Sequence, residues 1–301
     1  MSRRLLLLGR SGQLGQTLYH LAVLTGWQVW APNRQELDIS NSSELERQIK
    51  QLCPDAIINA AAYTQVDLAE NMSTNNWCIN ADAPGWLAKA AAGVGALFLH
   101  LSTDYVFDGA MARPYLESDV VAPLSAYGRA KLAGELAVAE QCPRHLIVRT
   151  SWLFGGAGRH FVRSMLELAS TRTHLHIVDD QVGGPTPVDE LATILLLMLE
   201  KAMSPDFSEW GIYHCSGKPA LSWYQFALAI FAELEGHGYK VPTVSPISSQ
   251  DYGAAAKRPL NSRLDNGKMH RVFDLESPEW LPAMQRFVAD WCAIRPEFEK
   301  E

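Results

Sequence analysis

Tyr127 and Lys131 stand four residues apart in the run Ser125-Ala126-Tyr127-Gly128-Arg129-Ala130-Lys131. On a helix, that spacing sets both side chains on one face. The pairing has a chemical use. Hydride addition to a carbonyl carbon leaves negative charge on oxygen, and a phenol can protonate it. An unperturbed phenol titrates at about 10, and a neighbouring ammonium favours its ionised form and draws that value toward neutrality. Chance supplies Tyr-x-x-x-Lys in a chain of this composition about one time in four, so the context must carry the argument. That context is the earlier stretch Leu101-Ser102-Thr103-Asp104-Tyr105-Val106-Phe107-Asp108-Gly109, which begins where an apolar strand should end. Ligand sites in open α/β sheets lie beyond the carboxyl ends of the strands. A hydroxyl from Ser102 or Thr103 would there hold a substrate oxygen beside Tyr127; capping of the strand end is the plainer use.

Gly9, Gly12 and Gly15 form a second constellation, G-x-x-G-x-x-G, between a first strand and a first helix. Glycines there permit a tight turn and let backbone N–H groups approach a pyrophosphate at the helix N-terminus. Position, more than spacing, marks the site as dinucleotide-binding. NAD-specific sites place an acidic residue roughly 20 positions further on, against the ribose hydroxyls. Here Val29-Trp30-Ala31 leads into Pro32-Asn33-Arg34, with no carboxylate before Glu36 and Asp38. Arg34 can pair with a 2′-phosphate, which favours NADPH with NADH usable. The alternative leaves Arg34 solvated and turns Asp38 toward the adenine end.

The elements that must position these residues follow from periodicity. Strands are expected at Arg4–Leu8, Gln28–Trp30, Ala56–Asn59, Leu97–Leu101 and Leu146–Arg149. Helices are expected at Gln13–Thr25, Ser42–Leu52 (with Ser42 as N-cap), Asn75–Val94 and Ser125–Gln141. Continuous apolar strands alternating with helices predict an α/β fold, a Rossmann-like doubly wound parallel sheet. Beyond Thr150 the pattern loosens into helices near Phe161–Ala169, Val188–Met203, Trp223–Glu235 and Ala283–Trp291, and short strands at Leu175–Val178 and Tyr213–Cys215. The expected division is a dinucleotide-binding domain over 1–150 and a smaller substrate-binding lobe over 151–301, with some segments returning to the Rossmann core.

The chain has 301 residues, 48% hydrophobic and 20% charged, enough to bury a core without disulfides or metals. Its five cysteines are dispersed, with no CxxC pair, as expected of reduced thiols in a cytoplasmic protein. A net charge of −7 without long single-sign runs argues against nucleic-acid or anionic-membrane partners. The apolar run Leu5–Leu8 is too short for a secretory signal, and Leu191–Leu199 too short to span a bilayer. His174 and His176 alternate on a strand without an evident third ligand, so packing is the expected use.

Together these motifs resemble the dTDP-4-dehydrorhamnose reductase family of extended short-chain dehydrogenases. The similarity runs nearly end to end. It takes in Gly9-Arg10-Ser11-Gly12-Gln13-Leu14-Gly15, Asn59-Ala60-Ala61-Ala62-Tyr63-Thr64, Val66-Asp67-Leu68-Ala69-Glu70 and Ser102 through Gly109. Further on come Tyr127 through Lys131, Arg149-Thr150-Ser151-Trp152, Gly183-Gly184-Pro185-Thr186 and Arg258-Pro259-Leu260-Asn261-Ser262-Arg263-Leu264.

The resemblance implies reduction of the C4 keto group of dTDP-4-dehydro-L-rhamnose to dTDP-L-rhamnose, with Tyr127 donating the proton. It implies a catalytic trio of Thr103, Tyr127 and Lys131. Gly12, Gln13 and Leu14 would meet the cofactor phosphates, Asp38 and Ile39 its adenine, and Ala62, Tyr63 and Thr64 its length. Thr103, Asp104 and Trp152 would face the sugar nucleotide, and Arg258 and Asn261 its diphosphate or a closing loop. Some members bind magnesium at a dimer interface through acidic residues, one just after the third glycine. Gln16 and Thr17 stand there instead and Asp189 alone matches, which makes magnesium doubtful and predicts a monomer or weak homodimer. A nucleotide-sugar epimerase and a non-catalytic regulatory subunit share this fold and are the competing readings.

Overall fold

The computed structural model describes residues 3–71 and 73–294. Its centre is a six-stranded sheet in the order Gly211–His214, His145–Thr150, Leu97–Thr103, Ala56–Asn59, Arg4–Leu8, Gln28–Trp30. Every neighbouring pair runs parallel. Parallel strands need crossovers, and the crossover helices cover both faces. The side chains of Arg4–Leu8 divide accordingly. Leu5 and Leu7 pack toward helices Gln13–Leu24 and Val188–Ala202, while Leu6 and Leu8 pack toward Ser42–Leu52 and Ala83–Gly93. Each such leucine, fully enclosed, contributes roughly 1.5–3 kcal/mol by leaving water. The chain reverses direction across the sheet between Arg4–Leu8 and Ala56–Asn59, and the crevice at that switch is where an α/β sheet binds ligands.

A second core gathers helices Phe161–Ala169, Trp223–Gly236 and Trp280–Ala293 around Phe226, Ile230, Met284 and Trp291. A two-stranded parallel pair, His174–Val178 with Thr243–Ile247, lies against it. The C-terminal half also returns to the main sheet. It supplies strand Gly211–His214 and helix Val188–Ala202, together with Met269 and Phe273 from helix Gly267–Phe273.

Two local expectations need correction, and one strand went unforeseen. The cap of helix Ser42–Leu52 is Asn41, whose side chain accepts from the Glu44 N–H, and Ser42 is the first helical residue. The expected helix Asn75–Val94 is two helices, Ser73–Trp77 and Ala83–Gly93, joined by a π-helical turn at Cys78–Asp82. Strand Thr243–Ile247 escaped sequence reasoning because Pro246 interrupts its apolar pattern, although that residue sits within a paired strand.

Candidate active site

The first glycine turn is built by contact. Gly9 has φ +86° and its backbone lies against Ala60, so a Cβ there would come within 2.5 Å of the Ala60 carbonyl carbon. A Cβ on Gly15 would stand 2.1 Å from the Gly9 oxygen. The three segments can close together only as glycine. Gly12 then caps helix Gln13–Leu24 with no side-chain bond to its first turn, which leaves that turn's N–H groups facing outward. Gln13 reaches across to the Arg159 carbonyl at 2.9 Å and ties this turn to the glycine-rich segment after the fifth strand.

Two cavities meet at this turn, sharing Gly12, Ala60 and Ala62. The smaller, about 330 Å³, is bordered by Gly9, Arg34, Asp38, Ile39 and Tyr63. Arg34 is largely solvent-exposed and lies 3.7 Å from Asp38, a surface pair of small energetic weight that leaves the guanidinium free to turn. Arg10 borders the same cavity, its guanidinium 4.3 Å from the Tyr19 ring centre. Asp38 is held below the usual carboxylate range mainly by the backbone and hydroxyl of Ser40.

The larger cavity, about 510 Å³, runs from Gln13, Leu14 and Gly15 past Thr64 to Thr103, Asp104, Tyr127, Lys131 and Trp152. Strand Leu97–Thr103 ends at Thr103, and helix Ala126–Gln141 begins beside it, capped by Ser125. Gly128 lets that helix approach, since a Cβ would lie 2.3 Å from the Tyr105 oxygen. The Thr103 hydroxyl donates to Asp104 at 3.0 Å and accepts from the Tyr105 N–H at 3.1 Å, and it borders the cleft together with Tyr127. Burial pushes the Tyr127 phenol above its ordinary value, which the Thr103 hydroxyl opposes. Lys131 donates to the Leu101 carbonyl at 2.6 Å, and burial draws its ammonium down to about 8 against the pull of Glu135. Glu135 itself is held by both Arg149 nitrogens at 2.9 and 2.6 Å.

At the far end Trp152 adopts φ +47°, a region that costs a bulky residue roughly 1–2 kcal/mol. Its ring is stacked on Trp223 with centroids 3.4 Å apart and sits over Gly183, where no Cβ would fit. Trp223 also lines the cleft, although its place in an apolar helical pattern gives no hint of that. The available signal was the Ser222–Gln225 capping box, which starts a helix at Trp223 and so presents it at an element end.

Arg258 and Asn261, expected at the substrate diphosphate or in a loop that closes on it, do not line either cavity. Arg258 forks onto Asp67 at 2.7 and 3.1 Å. The Asn261 amide donates to the Met111 and Arg113 carbonyls and accepts from the Arg263 backbone and side chain. With every polar atom engaged, Asn261 holds the tail in place.

The comparisons now bear on this geometry. A dTDP-4-dehydrorhamnose reductase of Aggregatibacter actinomycetemcomitans is 42% identical, over 95% of this chain and 98% of that protein. One from Escherichia coli (strain K12) is 38% identical, over 94% of this chain and 96% of that protein. The family model described as RmlD substrate binding domain matches residues 3–292. The chain belongs to this family. A crystal structure of dTDP-4-dehydrorhamnose reductase from Bacillus anthracis in complex with NADP superposes with a TM-score of 0.90 at 34% identity. That superposition covers 96% of this chain and 100% of the other. UDP-glucose 4-epimerase from Thermotoga maritima, at 18% identity and a TM-score of 0.79, shares the fold of the RmlD family.

Among the described residues, no group of three or more His, Cys, Asp or Glu side chains could hold a metal ion. Where a magnesium ligand would be expected, Gln16 donates to Ser11 and Thr17 to Gln13, while Asp189 faces Arg286 at 3.5 Å. This donor set does not fit a divalent cation. His174 bonds Thr243 at 2.7 Å across the outer strand pair. No helix among the described residues is long and apolar enough to cross a membrane.

Proposed function

We propose that this chain reduces the C4 keto group of a dTDP-linked 4-dehydro-deoxysugar, dTDP-4-dehydro-L-rhamnose, to dTDP-L-rhamnose, with NADPH preferred and NADH usable. The observation that carries the reading is the convergence of Thr103, Tyr127 and Lys131 in one cleft, continuous with the glycine-built turn. Membership of the RmlD family, with full-length reductase relatives, supports it.

The residues present suit a dinucleotide. Gln13 Oε1, Ser102 Oγ and Thr150 Oγ1 are buried without hydrogen-bond partners, and all three residues border the larger cavity. Buried polar atoms without partners are costly, and a polar ligand would satisfy them. The pyrophosphate would lie on the N–H groups opening helix Gln13–Leu24, and the adenine ribose between Asp38 and Arg34, with Arg10 alongside. Bound there, the nicotinamide supplies the hydride.

The chain's own residues do the rest. The Thr103 hydroxyl orients the keto oxygen, and Tyr127 delivers its proton as negative charge develops. Lys131 holds the cofactor's ribose and lowers the cost of the phenolate. Trp152 and Trp223 offer an aromatic face to the sugar or base. Asp104 stands within the same wall. We place the protein in the cytoplasm as a monomer or weak homodimer that binds neither nucleic acid nor membrane.

The test is NADPH oxidation followed by absorbance, with the keto-sugar nucleotide generated in situ. Wild type should oxidise one NADPH per sugar reduced, faster than NADH, and Tyr127→Phe should lower turnover about 10²- to 10⁴-fold. Interconversion of sugar epimers with no net oxidation would overturn the reading in favour of an epimerase. Absence of oxidation with either nucleotide, and of epimer interconversion, would sink the rhamnose assignment.

A further inference from the structure

Next to Lys131, outside the lining of the cleft, lie two enclosed polar side chains that the proposed chemistry does not use. Asn59 and His100 are opposite each other on neighbouring strands, and both have no solvent exposure. His100 Nε2 is 3.4 Å from Lys131 Nζ, and His100 Nδ1 is 3.2 Å from Asn59 Nδ2. The Phe98 ring lies nearly parallel to the imidazole, with ring centres 6.2 Å apart.

The protons in this row can be assigned one by one. The Ala61 N–H donates to Asn59 Oδ1 at 3.1 Å, which orients the amide and turns its NH₂ toward His100. An amide NH₂ only donates, so His100 Nδ1 must be bare. Burial, and then the nearby Lys131, keep the imidazole neutral. A neutral ring with a bare Nδ1 carries its proton on Nε2, the nitrogen facing Lys131. An ammonium has only donors, so two donors would face each other. The deprotonated amine, with its lone pair toward His100 and an N–H on the Leu101 carbonyl, satisfies every group.

We propose that Asn59 locks His100 as its Nε2–H tautomer, and that this N–H steadies the deprotonated amine of Lys131 after it has returned a proton to Tyr127. The inference rests on the reading of Tyr127 as proton donor with Lys131 beside it, and adds to that reading the return of a proton from Lys131. The phenol O–H bond breaks as the substrate oxygen gains its proton. A Lys131 N–H bond then breaks, the phenol is restored, and the amine accepts from His100. Solvent entering by the cleft returns the ammonium. His100 and Asn59 are positioning residues in this scheme, acting through Lys131.

Other groups around Lys131 do not supply this. Glu135, one turn further along the same helix, favours the ammonium and is itself neutralised by Arg149 of strand His145–Thr150. Asp104, at the end of strand Leu97–Thr103, acts on Tyr127 and Tyr105.

The experiment is ¹⁵N NMR of histidine-labelled full-length protein, with ¹³C-lysine labelling to follow Lys131, assigned by loss of its signal in Lys131→Met. Wild-type His100 should show the Nε2–H tautomer and no titration from about pH 5 to about 8. In Asn59→Asp the carboxylate can only accept, so the proton should move to Nδ1 and Nε2 should accept from the ammonium. The Lys131 titration and the basic limb of the turnover–pH profile should then both rise by about one pH unit. A wild-type Nδ1–H tautomer would overturn the proposal, as would an Asn59→Asp protein whose Lys131 titration stays in place. Should that variant not fold, the wild-type tautomer decides alone. Full reduction by Lys131→Met would sink the catalytic role of Lys131 while leaving the tautomer and titration readings intact, so the two failures are distinguishable.

Discussion

Asp104 is almost fully buried beside the Thr103 hydroxyl, and burial raises its carboxyl to about 7 against the hydroxyls of Ser262 and Thr103. A raised carboxyl has a definite sign for stability. The contribution is whole below the ordinary carboxylate range and is lost as pH rises through about 7. Asp104→Asn removes that titration, so its advantage over wild type should grow between about pH 5 and about pH 8, to a few kcal/mol at most. Denaturant melts of the ligand-free protein at both pH values measure it; an advantage equal at both would refute the assignment. At this scale the sequence was readable wherever chemistry dictates residue type. Thr103, Tyr127 and Lys131 come together because a strand end and a helix start are needed to present them. Trp223, Arg10 and the Asn59–His100 pair were not readable. An aromatic, an arginine or a histidine in an apolar run carries no mark of what it faces.

The elements were legible for a different reason. Strands such as Ala56–Asn59 are buried on both faces, so they read as unbroken apolar runs between turns. The π-helical turn Cys78–Asp82 was hidden because its residues are compatible with ordinary helix. Its use is visible only in three dimensions. It carries Asn80, whose side chain accepts from the Tyr63 N–H and donates to the Tyr63 carbonyl, holding the Tyr63 backbone at the edge of the smaller cavity. Gly134 of the neighbouring helix is required there, since a Cβ would meet the Asn80 oxygen at 2.2 Å. The glycine turn makes the same demand more sharply. Gly15→Ala must push Gly9 out of its seat, which should cost about 1–3 kcal/mol of stability and distort the N–H groups offered to the pyrophosphate. The melting-temperature rise on adding NADPH should shrink markedly in that variant. An undiminished rise would show that the turn does not bear the cofactor.

At the scale of the whole molecule, the tail from Ala256 to Asp265 sews the halves together. It bonds Asp67 and Tyr115 on the N-terminal side and Val182 on the other. The segment carries no helical or strand periodicity, and such a sequence gives no sign of what it crosses. Asn261 therefore has two competing uses, a contact to the substrate diphosphate or a closing loop, as the resemblance implied, or a staple, as its hydrogen bonds favour. They separate cleanly on Asn261→Ala. Losing the amide removes the partner of two part-buried carbonyl acceptors and of the Arg263 donors, at roughly 0.5–1.5 kcal/mol for each hydrogen bond lost. Because the tail spans both cores, that loss should lower a single cooperative unfolding transition rather than release one lobe first. The staple reading expects the midpoint to fall by several degrees while KM for the sugar nucleotide, measured well below that midpoint, stays within about twofold. A KM raised tenfold or more at unchanged stability would return Asn261 to the substrate, placing the tail among the surfaces that close over the cleft.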